Sequence, residues 1–264
     1  MHANFLDPYH ESSSPVHQLD SRVKLALVVG FVLTVALTPV GAWPVYVLLL
    51  ALAVSAELLS GLGIGFYLKR ALLALPFVLA AVPVLFTTQG AALAHLPLNL
   101  TISEPGLSRF LSVALKSWIS VQAALLLATT TPFPQILVAM RALRVPRLLV
   151  AIIGLMWRYL FVMVDEALRL MRARQARSGH VEIDGSGNAG GSLAWRAKVT
   201  GGMAGNLFLR SLERSDRIYM AMLARGYDGE MRSLPLPRID GGSRLALISG
   251  LVLLAALLAL GFAL

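Results

Sequence analysis

Two tripeptides carry the chemistry that most needs a reading here, Ala176-Arg177-Ser178 and Ala224-Arg225-Gly226, each setting an arginine beside small residues. A guanidinium is a planar fork of five donors, suited to a groove lined with carboxylates and backbone carbonyls. Small neighbours let another protein surface close over it, and a helix C-terminus adds the attraction of the dipole's negative end. One such arginine is most simply a helix cap, whereas two, each ending a long helix, point to docking. The remaining chemistry is sparse. His2, His10, His17, His95 and His180 form no i, i+4 pair and have no acidic partner at ligand spacing, so no metal site is expected. There is no Gly-Lys dipeptide and hence no phosphate-binding P-loop. The absence of cysteine excludes disulfides and thiolate metal sites. No Ser/His/Asp set, no paired carboxylates within an apolar run and no glycine-rich phosphate loop suggest catalysis. A non-catalytic chain without a cofactor is the expectation.

The elements that position the two arginines follow from composition. The 264 residues are 57% hydrophobic and 14% charged, against about 25% charged in a soluble domain. Polar surface is therefore too scarce for a water-soluble fold of this size. Residues 25–56 are free of Asp, Glu, Lys and Arg, and are broken by Pro39-Val40-Gly41-Ala42-Trp43-Pro44. They read as two spans, about 23–39 and 43–59. Residues 71–103 give a third span to about Thr88, kinked at Pro76 and Pro83, then a softer loop through Asn99 and Thr101. Residues 117–132 give a fourth span and 245–264 a last one. Glu57 and Lys116 fall towards span ends, where snorkelling to the interface is expected. Asp20 is placed to cap the first span. No cleavable signal peptide is expected, because Asp7, Glu11 and Asp20 precede the first apolar run.

Residues 148–164 are apolar but cut by Arg158, which costs roughly 2.5–3.5 kcal/mol at a helix centre. If the N-terminus is cytoplasmic, four spans return the chain inside near residue 132. A fifth at 148–164 would put the arginine-rich residues 165–243 outside, against the positive-inside rule. Residues 132–243 hold 16 of the 23 basic and 9 of the 14 acidic residues, +7 of the net +9. The expected organisation is thus 1–131 with four spans, a cytoplasmic insertion at 132–243, and a C-terminal span at 244–264. Within the insertion, 135–144 reads as a helix at the membrane surface, with Ile136, Leu137, Met140 and Leu143 on one face. A helix over 147–177, roughly 46 Å long, and another over 193–225 follow. Between them lies a flexible connection, 179–192, rich in glycine. Gly201 and Gly205 make a small-xxx-small step.

At this point the sequence resembles the transmembrane (T) component of energy-coupling factor transporters, specifically the CbiQ type associated with cobalt uptake. The likeness covers nearly the whole chain. It rests on Val16-His17-Gln18-Leu19-Asp20-Ser21-Arg22-Val23-Lys24-Leu25 and the two Ala-Arg-small motifs. It rests most specifically on Ser211-Leu212-Glu213-Arg214-Ser215-Asp216-Arg217-Ile218-Tyr219, continuing to Tyr227-Asp228-Gly229. The family commonly has proline in place of Ser21. The resemblance implies an all-α polytopic membrane bundle of about five spans with long crossing cytoplasmic coupling helices. It implies that Arg177 and Arg225, with Ala176, Ser178, Ala224 and Gly226, dock into grooves on a pair of cytoplasmic ATPase subunits. It implies a separate substrate-binding integral membrane subunit, with a small accessory membrane subunit as a further partner. The implied substrate is cobalt, or nickel, and the implied location is the inner (plasma) membrane of a prokaryote. Anionic lipids are expected as secondary contacts of Arg141, Arg144 and Arg147. Nucleic acid is not expected, because aromatics do not alternate with the arginines. The alternative reading is an autonomous secondary carrier or channel, which would need an intramembrane charge relay.

Overall fold

The computed structural model describes residues 8–88, 92–96, 100–177, 192–228 and 239–263, with side chains undescribed at 64, 92–96 and 100–102. The linker 179–192 apart from Ser192, together with Ser178, His2 and His180, lies outside the described residues. The described chain is helical apart from one small ribbon. It forms two compact units, Met1–Arg144 with Pro235–Leu264, and Val145–Leu234.

The first unit is a bundle. A short helix α1 (Pro15–Gln18) precedes α2 (Ser21–Leu37), whose N-cap is Asp20, accepting from the Arg22 N–H at 2.9 Å as expected. α3 (Trp43–Ser60) starts with Pro44 in its first turn and stops at Gly61, which adopts φ 77°. The Tyr46 hydroxyl donates to the Pro39 carbonyl at 2.7 Å and closes the α2–α3 turn. The third hydrophobic stretch is broken more thoroughly than two kinks would suggest. α4 (Ile64–Ala71), a 3₁₀ turn at Leu72–Ala74, α5 (Leu75–Ala81) and α6 (Val84–Thr87) follow one another, with breaks beside Pro76 and at Pro83. The segment read as a loop contains an antiparallel ribbon, β1 (Ala92–Leu96) against β2 (Leu100–Ser103). α7 (Glu104–Thr130) begins earlier than expected because Ser103 caps it, accepting from the Gly106 N–H at 3.2 Å while donating to the Thr88 carbonyl at 2.6 Å. α8 (Phe133–Ala142) packs against α2 and buries Ala139 completely. α11 (Gly241–Ala263) packs on α2 and α3. At the α2–α11 crossing, a Cβ on Gly250 would lie 2.5 Å from a Leu27 methyl, so the two backbones approach as small residues allow in membranes.

Phe31, Val35, Val45, Leu49, Ala53, Ile119, Ala123 and Leu254 form the core of this unit. Large apolar side chains cover its outside: Leu33, Val47, Leu73, Leu79, Val252 and Phe262 are all more than half exposed. In water that surface would be prohibitive; in hydrocarbon it is the required one. The protein is a multi-pass membrane protein.

Both ionisable residues assigned to snorkelling behave otherwise. Lys116 on α7 turns inward and donates to the carbonyls of Ala36 at 3.1 Å and Thr38 at 2.7 Å, capping the C-terminal end of α2. Lys24 on α2 donates to the Thr130 carbonyl at 2.9 Å, capping the end of α7, and to the His17 carbonyl at 3.3 Å. Each helix of this antiparallel pair thus satisfies the orphan carbonyls of the other with an ammonium, which also meets the negative dipole end. Glu57 is 1% exposed, and neither carboxyl oxygen has a hydrogen-bond partner among the described residues.

The N-terminal segment folds across the same end of the bundle. His10 N–H donates to the Thr129 carbonyl at 3.0 Å, its ring meets Phe66 edge-on at 5.1 Å, and Ser12 and Ser14 lie against Gly61. His17 shares hydrogen bonds with Ser14 Oγ at 2.7 Å and the His10 carbonyl at 3.0 Å. Partial burial holds the His17 pKa below its ordinary 6.5, the Lys24 charge adds to this, and the His10 carbonyl opposes it. A depressed histidine favours the neutral ring in the folded state, so its contribution is present above pH 6.5 and declines as pH falls below it. Proteolysis near residues 8–19 should therefore accelerate on acidification below about 6.5. His17→Gln should remove that dependence, and an unchanged pH profile would refute the assignment.

Five described helical stretches are long and apolar enough to cross a membrane: 43–60, 65–87, 104–130, 147–177 and 241–263. The number agrees with expectation but the set does not. α2, at 17 residues, is one residue short of that length, and the helix at Arg147–Arg177 qualifies despite Arg158. Length and composition alone therefore leave that helix's side of the bilayer to be decided by charge.

Candidate coupling site

The second unit is built on two long helices, α9 (Arg147–Arg177) and α10 (Leu193–Ala224). Both lie within a residue of their expected limits, because Pro146 and Ser192 set their starts. The Ser192 hydroxyl accepts from the Trp195 N–H at 3.3 Å. They run antiparallel. Glu166 accepts from Arg210 at 2.7 Å across the pair and from Arg169 at 2.6 Å within α9. Arg174 donates to the Thr200 hydroxyl at 3.0 Å and sits 6.0 Å from the Trp195 ring centre. These contacts are polar and largely exposed. α10 has no buried residue, and α9 has two, Val150 and Ala151.

Arg177 is the last residue of α9, and Ala176 and Arg177 are exposed. At the far end of α10, Ala224 closes the helix, Arg225 is its C-cap and Gly226 follows at φ 80°. The Gly226 N–H returns to the Leu223 carbonyl at 2.9 Å and the Tyr227 N–H to Met222 at 3.0 Å. That pair of bonds is a Schellman cap. It gives the motif's glycine a physical reason: a Cβ in the left-handed region costs roughly 1–2 kcal/mol. The side chains of Arg177 and Arg225 make no hydrogen bond or ion pair among the described residues, unlike those of Arg169, Arg174 and Arg210. Among the described residues their forks have no partner. The structure does not bring the two together: from the Glu166–Arg210 contact, Arg177 lies 11 residues one way and Arg225 15 residues the other. That separation is on the order of 40 Å along a straight pair.

Sequence reasoning gave no role to Arg214 and Arg217, although both fall in the quoted run. They too lack a hydrogen bond or ion pair among the described residues, and the Arg214 Nη1 is buried without one. Arg214 is three turns before Arg225 and on the same face of α10. A basic stripe thus leads to the second motif. Gly201 and Gly205 have nothing within 4 Å of where a Cβ would stand. No cluster of three His, Asp or Glu suited to a metal ion occurs among the described residues.

The chain thus combines a multi-pass helix bundle with a unit of two long helices whose terminal arginines are exposed. The chain belongs to the CbiQ family of cobalt transport proteins, whose model matches residues 12–235. Among its relatives, the cobalt transport protein CbiQ of Rhodobacter capsulatus is 30% identical over 69% of this chain and 71% of that protein. The energy-coupling factor transporter transmembrane protein EcfT of Lacticaseibacillus paracasei is 28% identical over 85% of each chain. The EcfT of Bacillus subtilis is 25% identical over 98% of each.

Proposed function

We propose that this protein is the transmembrane coupling subunit of an ATP-driven energy-coupling factor transporter for cobalt ions. It transmits the motion of two cytoplasmic ATPase subunits to a separate substrate-binding membrane subunit and performs no catalysis itself. The observation that carries the reading is the placement of two unpartnered arginines, Arg177 and Arg225, at opposite ends of one antiparallel helix pair. Two docking points that far apart suit two partner subunits better than one. The apolar, unpartnered side chains along α10, such as Phe208, Leu209 and Met220, suit a membrane partner lying over the pair. The names of the relatives supply the substrate class. On this reading 132–243 is the cytoplasmic coupling region, 1–131 and 244–264 hold the spans, and the N-terminus is cytoplasmic in a prokaryotic plasma membrane.

Two experiments test this. Co-expressed with its ATPase and substrate-binding subunits, the tagged chain should retain both through purification in detergent; recovery of the chain alone would overturn the proposal. A tag inserted at 186–190 should resist an impermeant reagent applied to intact cells. Labelling from outside would place α9 across the bilayer and remove the coupling role.

A further inference from the structure

A cavity of about 330 Å³ opens within the first unit, between α1, α2, α3, α7 and α11. Its wall is largely aliphatic, with Leu27, Phe31, Leu52, Leu126, Leu253 and Leu254 contributing. Lys24 and Gln122 are its polar members of interest. They stand towards opposite ends, since Lys24 reaches Thr130 and Gln122 lies eight residues, roughly 12 Å, back along α7. Gln122 is 3% exposed and its carboxamide has no hydrogen bond among the described residues. The volume is about twice that of a roughly 150 Å³ apolar cavity, which stays dry and takes up benzene. Ordered water needs two to four polar partners, whereas the Ser55 and Thr130 hydroxyls of this wall already donate to the Leu52 and Leu126 carbonyls of their own helices. The walls are membrane helices, so hydrocarbon is the surrounding solvent. Lys24 adds a sign: its ammonium gives two hydrogens to carbonyls and keeps a third together with its charge. The Asp20 carboxylate is within electrostatic reach of Lys24, but it accepts from the Arg22 N–H and pairs with the Arg22 guanidinium at 3.4 Å, so the two cations outnumber it.

We infer that this cavity is a lipid site, holding one acyl chain of an anionic glycerophospholipid, its tail among the leucines and its phosphate end towards Lys24. Gln122 is a passive member of the wall beside the tail.

The test uses the full chain purified in mild detergent, washed free of loose lipid and exchanged with dioleoyl phosphatidylglycerol or dioleoyl phosphatidylcholine. Native mass spectrometry then counts the lipid retained. One phosphatidylglycerol per chain should survive the wash, in preference to phosphatidylcholine. Ala56→Phe and Ala123→Phe, which fill the cavity from facing helices, should each lower retention at least about tenfold, equivalent to about 1.4 kcal/mol. Because either could disturb packing, Gln122→Leu is the companion variant. It removes the polar group and enlarges nothing, so a hydrocarbon occupant should be held as well as or better than in the wild type. Lys24→Gln, which keeps an amide donor for the Thr130 carbonyl, should abolish the preference between headgroups in protein whose unfolding temperature shows it still folded. Absence of retained lipid, retention unaffected by both phenylalanines in folded protein, loss of lipid in Gln122→Leu, or equal retention of the two lipids by the wild type would each overturn the assignment.

Discussion

Replacing both Arg177 and Arg225 with alanine is expected to strip the ATPase subunits from the complex during purification and to abolish ATP-driven cobalt uptake. Truncating one side of a charge-assisted interfacial contact costs about 2–5 kcal/mol, because the partner's carboxylates and carbonyls are left buried without a donor. Each single change should weaken the complex, and the double change should weaken it far more, since the two contacts lie too far apart to compensate for each other. Arg→Lys at both positions should restore little, because an ammonium keeps the charge but lacks the planar fork. The chain itself should be unharmed. Neither arginine is buried and neither holds another residue, so thermal unfolding of the isolated protein should not move. If the double alanine variant co-purifies with the ATPases at wild-type yield and still transports, the docking role is wrong.

The opposite pattern is expected for Lys24 and Lys116. Their change to methionine conserves the apolar stem and removes the ammonium, orphaning the carbonyls at the ends of α7 and α2. Hydrogen bonds to charged groups contribute about 1.5–3 kcal/mol each, and the buried Lys24–Thr130 contact has no water to replace it. The double variant should therefore lose several kcal/mol, visible as a large drop in the detergent unfolding temperature. Its free arginines would be unaltered, so whatever protein remains folded should still bind the ATPases. A double variant as stable as the wild type would show that the two lysines are not structural caps.

These two pairs also mark how much the sequence made legible. α9 and α10 were readable almost to the residue because Pro146, Ser192 and Gly226 each impose a local backbone requirement that no packing can override. The spans were readable as apolar runs, but their limits were not. α7 starts 13 residues earlier than the uncharged run, since Glu104, Arg109 and Lys116 are compatible with a helix. The strands at Ala92–Leu96 and Leu100–Ser103 carry no strong alternation to mark them. Charge alone marks Glu57 and Lys116 as residues to be moved out of the membrane, whereas Lys116, like Lys24, is held by the carbonyls at another helix's end. That attraction depends on which helices are neighbours, and spacing along the chain does not encode it. In the coupling unit the arginine motifs were visible as words, while the engagement of Arg169, Arg174 and Arg210 with α9–α10 partners, which leaves Arg177 and Arg225 free, emerges only from the paired helices.

The segment from His10 to Lys24 bears on how the protein is made. Its anchors are Phe66 and the carbonyls of Thr129 and Thr130, which leave the ribosome more than a hundred residues after it in the case of α7. Gly61 and Phe66 are available to this stretch once α3 and α4 have been made, but the Thr129 and Thr130 carbonyls only after α7 has been inserted. Biogenesis would leave this stretch only partly held until α7 supplies its last two anchors.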